Sequence, residues 1–113
     1  MRVKRSVTSR KKHKKVTAQT KGMLKSRRSS IKKAREALIK AWSYQYRDRR
    51  NKKRDFRALW ITRIGNFTKA QGVSYSKFMS MLTKNNVEID RKILAELATN
   101  EPETMKALVE RVK

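Results

Sequence analysis

The sequence predicts an all-α protein: an extended basic helical arm and one long helix leading into a small C-terminal helical bundle. Three observations predict it. No Gly or Pro occurs between residues 23 and 64, and good helix formers fill that stretch. Apolar residues recur at helical spacing, and no strand-like alternation of useful length is present. Charge is also sharply divided. Of the 32 Lys and Arg residues, 23 lie in the first 57 positions against three carboxylates, Glu36, Asp48 and Asp55, which leaves +20 there of a total of +23. A compact body gathers that much unneutralised charge only against strong self-repulsion, so the first half needs a polyanion and the second half does not.

Residues 1–22 read as a basic arm. The cluster Arg10, Lys11, Lys12, His13, Lys14 and Lys15 puts like charge on every face of any helix it forms. Such a helix is disfavoured in water and favoured once phosphates neutralise it. The first 30 residues offer little that fills a core and are not expected to fold alone. Gly22 is the first natural break, and Ser26, Ser29 and Ser30 are N-cap candidates.

One long helix is then expected from about residue 30 to about residue 69, roughly 60 Å at 1.5 Å per residue. Ile31, Ala34, Leu38, Ala41 and Trp42 recur along it, as do Phe56, Leu59, Trp60, Ile64 and Phe67 later. Between Tyr46 and Phe56 the run RDRRNKKRD holds no apolar residue and has nothing to bury. The protein core is therefore placed from Phe56 onward. This divides the chain into an extension, residues 1–55, and a small globular helical domain, residues 56–113.

Gly72 reads as a helix stop and Ser74 as the next N-cap, with Phe78, Met79 and Leu82 inward. Asn85 and Asn86 form a turn. Asp90 caps a helix through Ala98 that buries Ile93, Leu94 and Leu97. Asn100 and Glu103 resemble a capping box, with Pro102 tolerated in the first turn. A last helix buries Met105, Leu108, Val109 and Val112.

Composition removes several function classes. Without Cys there is neither a disulfide nor a thiolate metal site, and the single His13 lies among lysines that repel a metal cation. No apolar run approaches membrane-spanning length, and RDRRNKKRD interrupts any continuous apolar face for lying on a membrane. No Gly-rich phosphate loop, metal-binding pair or nucleophile elbow is present. Neither an enzyme nor a cofactor is expected.

What remains is phosphate binding. Expected RNA contacts in the arm are Arg2, Lys4, Arg5, the cluster from Arg10 to Lys15, Lys21, Arg27 and Arg28, followed by Lys32 and Arg35. Along the long helix, Arg47, Arg50 and Arg54 fall on one face with Arg57 following. Arg49 and Lys53 form an adjacent row, and Asp48 and Asp55 are placed to hold neighbouring guanidinium forks. Trp42, Tyr44 and Tyr46 are suited either to stacking on unpaired bases or to packing against protein. Trp60, between Leu59 and Ile61, reads as core. Arg63 belongs to the contact set. Ser74, Tyr75, Ser76 and Lys77 at a helix start are either a phosphate site or a simple cap with Tyr75 packed. A DNA-compacting protein is the rival reading of the charge alone.

Four blocks carry a family resemblance: RVKRSV at 2–7, YRDRRNKKRDFRALWITRI at 46–64, GVSYSKF at 72–78 and VEIDRKILAELA at 87–98, with HKK at 13–15 and KG at 21–22 in agreement. On these the chain resembles the bacterial-type large-subunit ribosomal protein twenty family over nearly its whole length. The resemblance implies a structural constituent of the large ribosomal subunit that binds its ribosomal RNA directly and acts early in assembly. It implies a helical N-terminal extension threaded between RNA segments and a C-terminal domain at an RNA helix junction. In some bacteria it further implies repression of the protein's own messenger. Neighbouring ribosomal proteins, a cytoplasmic ribosome or that of an organelle stroma, and no small-molecule substrate follow from it. The onset at RVKRSV, in register with the family, argues that no presequence was added. Two positions depart from the pattern: Gly65 stands where Asn is usual, and Trp42 where a small residue is common.

Overall fold

The computed structural model describes residues 4–113. Arg2, and with it the start of the first resemblance block, lies outside the described residues. The described chain is all-α: α1 (Ser6–Gln19), α2 (Lys25–Ser29), α3 (Ile31–Ala70), α4 (Tyr75–Lys84), α5 (Arg91–Asn100) and α6 (Pro102–Val112), with no strand among these residues. Its contacts divide it into two units, one ending at Arg50 and the other Asn51–Lys113, with α3 running through both.

In the first unit, α1 buries none of its residues, and Arg5 at its N-cap makes no side-chain cap bond. Backbone hydrogen bonds and the Thr17 hydroxyl, which donates to the His13 carbonyl at 3.0 Å, are what this helix makes within itself. The chain turns at Gly22, whose φ of +88° is open to glycine at little cost. α2 lies against α1. The residues withdrawn from solvent here are Thr20, Ala34 and Leu38. The Thr20 hydroxyl is buried but donates to the Thr17 carbonyl at 3.0 Å, so no polar group is left wanting.

The second unit has the core. Ile64 from α3, Val73 from the turn, Phe78 and Leu82 from α4, Leu94 and Ala95 from α5, and Met105, Val109 and Val112 from α6 form one buried cluster. Spacings of three and four residues on α4 and α6 make the apolar stripes that meet, and α6 packs on both α4 and α5. Trp60, Phe67, Tyr75, Met79 and Leu97 pack around this cluster, half-buried.

Two helices end in the same way. The Val73 N–H reaches the Thr68 carbonyl at 2.9 Å and the Gly72 N–H reaches Lys69 at 3.0 Å. The Val87 N–H reaches Leu82 at 2.9 Å and the Asn86 N–H reaches Thr83 at 3.2 Å. Each is a Schellman ending with a left-handed residue, Gly72 at φ +78° and Asn86 at φ +53°. The Asn85 amide adds a tertiary tie, donating to the Met81 carbonyl at 2.9 Å and to the Val112 carbonyl of α6 at 3.2 Å.

Four sequence expectations are corrected. Phe56 and Leu59 are 45% and 42% exposed, so the core begins at Trp60, half-buried, and Ile64. Ile93 is 50% exposed, and α5 turns the smaller Ala95 inward beside Leu94, where α6 packs on it. The Asn100–Glu103 capping box is not made. α5 continues through Asn100, α6 starts at Pro102 with Glu101 as N-cap, and Thr104 donates to the Glu101 carboxylate at 3.1 Å. Asp90 has the extended backbone of an N-cap but makes no side-chain cap bond.

Candidate nucleic-acid interface

Every described candidate RNA-contact residue is solvent-exposed except Tyr75, which is half-buried. Lys4 and Arg5 precede α1. Arg10, Lys11, Lys12, His13, Lys14 and Lys15 lie on it, and Lys21 lies in the turn that follows. Arg27 and Arg28 occupy the last turn of α2, where cations suit the negative end of the helix dipole. Lys32 and Arg35 open α3. Among the described residues, the ion pairs are Arg47–Asp48 and Lys106–Glu103, so the cations of α1 and α2 have no intramolecular carboxylate partner.

The middle of α3 carries a series of local side-chain contacts. Arg47 Nε donates to Asp48 at 2.9 Å, and its guanidinium lies 4.8 Å from the centre of the Tyr44 ring. The hydrogen bond and charge of Asp48 hold the Arg47 guanidinium even further above its ordinary range. The Arg50 guanidinium lies 3.7 Å from the centre of the Tyr46 ring and donates to the Tyr46 carbonyl at 3.2 Å. Arg54 donates to the Asn51 side chain at 3.5 Å, and Lys52 stands 5.9 Å from the centre of the Phe56 ring. Trp42, Tyr44 and Tyr46 are 52%, 52% and 58% exposed in the free chain. The tyrosine rings serve as platforms that orient arginine forks. Asp55, expected to pair with an arginine, is in no ion pair among the described residues.

At the start of α4, Ser74 is a true N-cap: its hydroxyl accepts from the Lys77 N–H at 3.5 Å. Ser76 and Lys77 remain exposed. Tyr75 packs against the core, and its hydroxyl accepts from Arg91 Nε at 3.0 Å. Ser74 and Tyr75 border a hollow of about 440 Å³ with Asn66 and Lys69. Arg63 shares a cleft of about 260 Å³ with Trp60, Lys92 and Glu96. Arg91 beside Tyr75, Lys69 in the hollow and Lys92 in the cleft are cations outside the expected contact set. One signal was available for Arg91: a cation in the first turn of a helix opposes the dipole, so a tertiary reason for it is to be sought.

Among the described residues no cluster of His, Asp and Glu has the makings of a metal site, and no helix is long and apolar enough to cross a membrane. The fold and surface together define a class: an all-α scaffold that presents cations and oriented guanidinium groups. Comparison with known proteins supplies the family. The family model described as Ribosomal protein L20 matches residues 2–108. The chain is 53% identical over 112 residues to the large ribosomal subunit protein bL20 of Marinobacter nauticus, covering 99% of this chain and 96% of that protein. It is 50% identical to the protein of the same name from Pelagibacter ubique and 48% identical to that of Acidithiobacillus ferrooxidans, again over 99% of this chain and covering 95% and 94% of those proteins. The chain belongs to the ribosomal protein L20 family, whose members are structural rather than enzymatic.

Proposed function

We propose that this chain is a structural constituent of the large ribosomal subunit that binds its ribosomal RNA directly and supports early assembly. The observation that carries the reading is the exposure of the cations along α1, α2 and the first part of α3, with almost no carboxylate to neutralise them, in a member of a ribosomal-protein family. The division of labour follows from it. The bundle of Asn51–Lys113 has its own core and offers Arg57, Arg63 and the Ser74–Lys77 cap to folded RNA. It selects by shape, because the A-form major groove is too narrow for side chains. The arm and the RDRRNKKRD run neutralise phosphates that must lie close together, and ordering of the arm is coupled to that neutralisation. Neighbouring ribosomal proteins complete the setting, in the ribosome of a cytoplasm such as that of the bacterial relatives.

A salt titration with fragments of large-subunit ribosomal RNA tests this. If about ten phosphates are neutralised, affinity falls by orders of magnitude between low and moderate salt. A flat response overturns the electrostatic account. Competition with duplex DNA at equal phosphate concentration separates RNA binding from DNA compaction, and family membership favours RNA. Repression of the chain's own messenger belongs to the same reading. It requires the leader to present a fold like the ribosomal site, and a leader-driven reporter that ignores added protein excludes it.

A further inference from the structure

The first unit contains a groove that charge neutralisation does not explain. It is about 600 Å³ and is formed by the chain around Met23 and Leu24 and one face of α3. That volume is within the range of small-ligand sites, about 300–1,000 Å³. Its walls are partly apolar: Met23, Ala37 and Ala41 are half-buried, and Leu24 is 73% exposed with nothing in the unit covering it. Arg27 and Lys40 border it. So does Glu36, the first carboxylate of the chain, preceded by fifteen Lys and Arg residues.

Glu36 is the anomaly. It is exposed and in no ion pair within the described residues. On a surface suited to phosphates a carboxylate is repelled, unless something in the partner donates hydrogen bonds to it. Unstacked RNA bases supply such donors. Guanine alone has two adjacent donors, N1–H and the N2 amino group, on its pairing edge. They match the two oxygens of a carboxylate as an arginine fork does.

We propose that this groove is a nucleobase subsite that takes one unpaired guanine. Its face rests on the apolar wall of Leu24, Ala37 and Ala41, its N1–H and N2–H donate to Glu36, and Arg27 and Lys40 hold the flanking phosphates. The subsite rests on the RNA-binding reading and adds base selectivity to an extension otherwise read as purely electrostatic.

Chemical probing tests it. Full-length protein bound to large-subunit ribosomal RNA is treated with kethoxal, which modifies guanine at N1 and N2. The wild-type chain protects one unpaired guanine, and Glu36→Ala loses that protection while its other footprints persist. Glu36 is exposed, so the variant keeps its fold, and its circular dichroism and thermal melt are compared with the wild type. Preference for guanine over adenine at the bound position falls by about tenfold to a hundredfold. Electrostatics alone predicts the opposite sign for affinity, because removing a carboxylate strengthens binding to generic RNA. Stronger generic binding together with a lost guanine footprint supports the subsite. An unchanged guanine footprint in Glu36→Ala overturns it, for Glu36 is then only an exposed surface carboxylate, while the salt dependence of the wild type judges RNA binding separately.

Discussion

Arg91 donates from Nε to the Tyr75 hydroxyl at 3.0 Å, joining the first turns of α4 and α5 across 16 positions of sequence. The contact sets the spacing of the two helix starts on the surface where Ser74, Ser76 and Lys77 are exposed. It also keeps a guanidinium at the positive end of α5, where the dipole disfavours it. Tyr75→Phe removes the acceptor and keeps the packed ring. A loss of about 0.5–1.5 kcal/mol in urea unfolding is expected. A double-mutant cycle with Arg91→Ala isolates the pair, and a coupling near zero shows that the hydroxyl does not hold the guanidinium.

The two Schellman endings share their backbone hydrogen-bond pattern and differ in their left-handed residue. Gly72 at φ +78° has open space around a would-be Cβ, so Gly72→Ala suffers backbone strain rather than a clash. About 1–2 kcal/mol of destabilisation is expected. Asn86 at φ +53° already bears part of that strain, and Asn86→Gly stabilises the bundle by a few tenths to about 1 kcal/mol. Paired thermal melts check both signs, and the same sign for the two variants contradicts the shared motif.

Gly65 is different. It sits inside α3 with ordinary helical backbone, and a Cβ there meets only Tyr75 Cβ at 3.8 Å, a normal packing distance. Gly65→Ala therefore stabilises by about 0.5–1 kcal/mol through helix propensity. A fall in the urea midpoint shows that α4 needs a closer approach to α3 than this distance implies.

Phe78 is fully buried at the centre of the bundle, whereas Leu59 is 42% exposed. Phe78→Ala is expected to lose about 3–5 kcal/mol, and Leu59→Ala to stay within about 0.5 kcal/mol. These two residues mark where sequence reading succeeds and where it stops. Periodicity showed Phe78 and Leu82 on one face, and the absence of Gly and Pro showed the length of α3. It also grouped Phe56 and Leu59 with Ile64, but Leu59 stands five residues from Ile64, about 140° around the helix. Phe56, more than two turns before Ile64, is 45% exposed because periodicity does not say how far along the helix a partner reaches. The choice of face itself misplaced Ile93. Residues 93, 94 and 97 and residues 94, 95 and 98 are both reasonable helical stripes, and the choice belongs to α6, which packs against α5. In the candidate interface, composition gave the cations and local rules gave the Ser74 cap. Arg91 and the groove at Glu36 depend on residues far apart in sequence or on a turn whose path only the fold defines.

The Arg50–Tyr46 pair allows charge and geometry to be separated on α3. The guanidinium lies 3.7 Å from the ring centre and donates to the Tyr46 carbonyl, so its remaining N–H groups are aimed before any RNA arrives. Arg50→Lys keeps the charge but replaces a planar fork with a flexible point charge. If Arg50 serves only to neutralise, neither affinity nor salt slope changes. With an oriented fork, affinity for large-subunit RNA falls by the value of an exposed cation–π contact, about 0.5–1 kcal/mol or a few-fold. The salt slope stays where it was, since the number of phosphates neutralised is the same. Arg50→Ala lowers the slope by about one as well. Binding isotherms at several salt concentrations distinguish the three cases. An Arg50→Lys chain that binds like wild type assigns the Tyr46 platform no part in recognition.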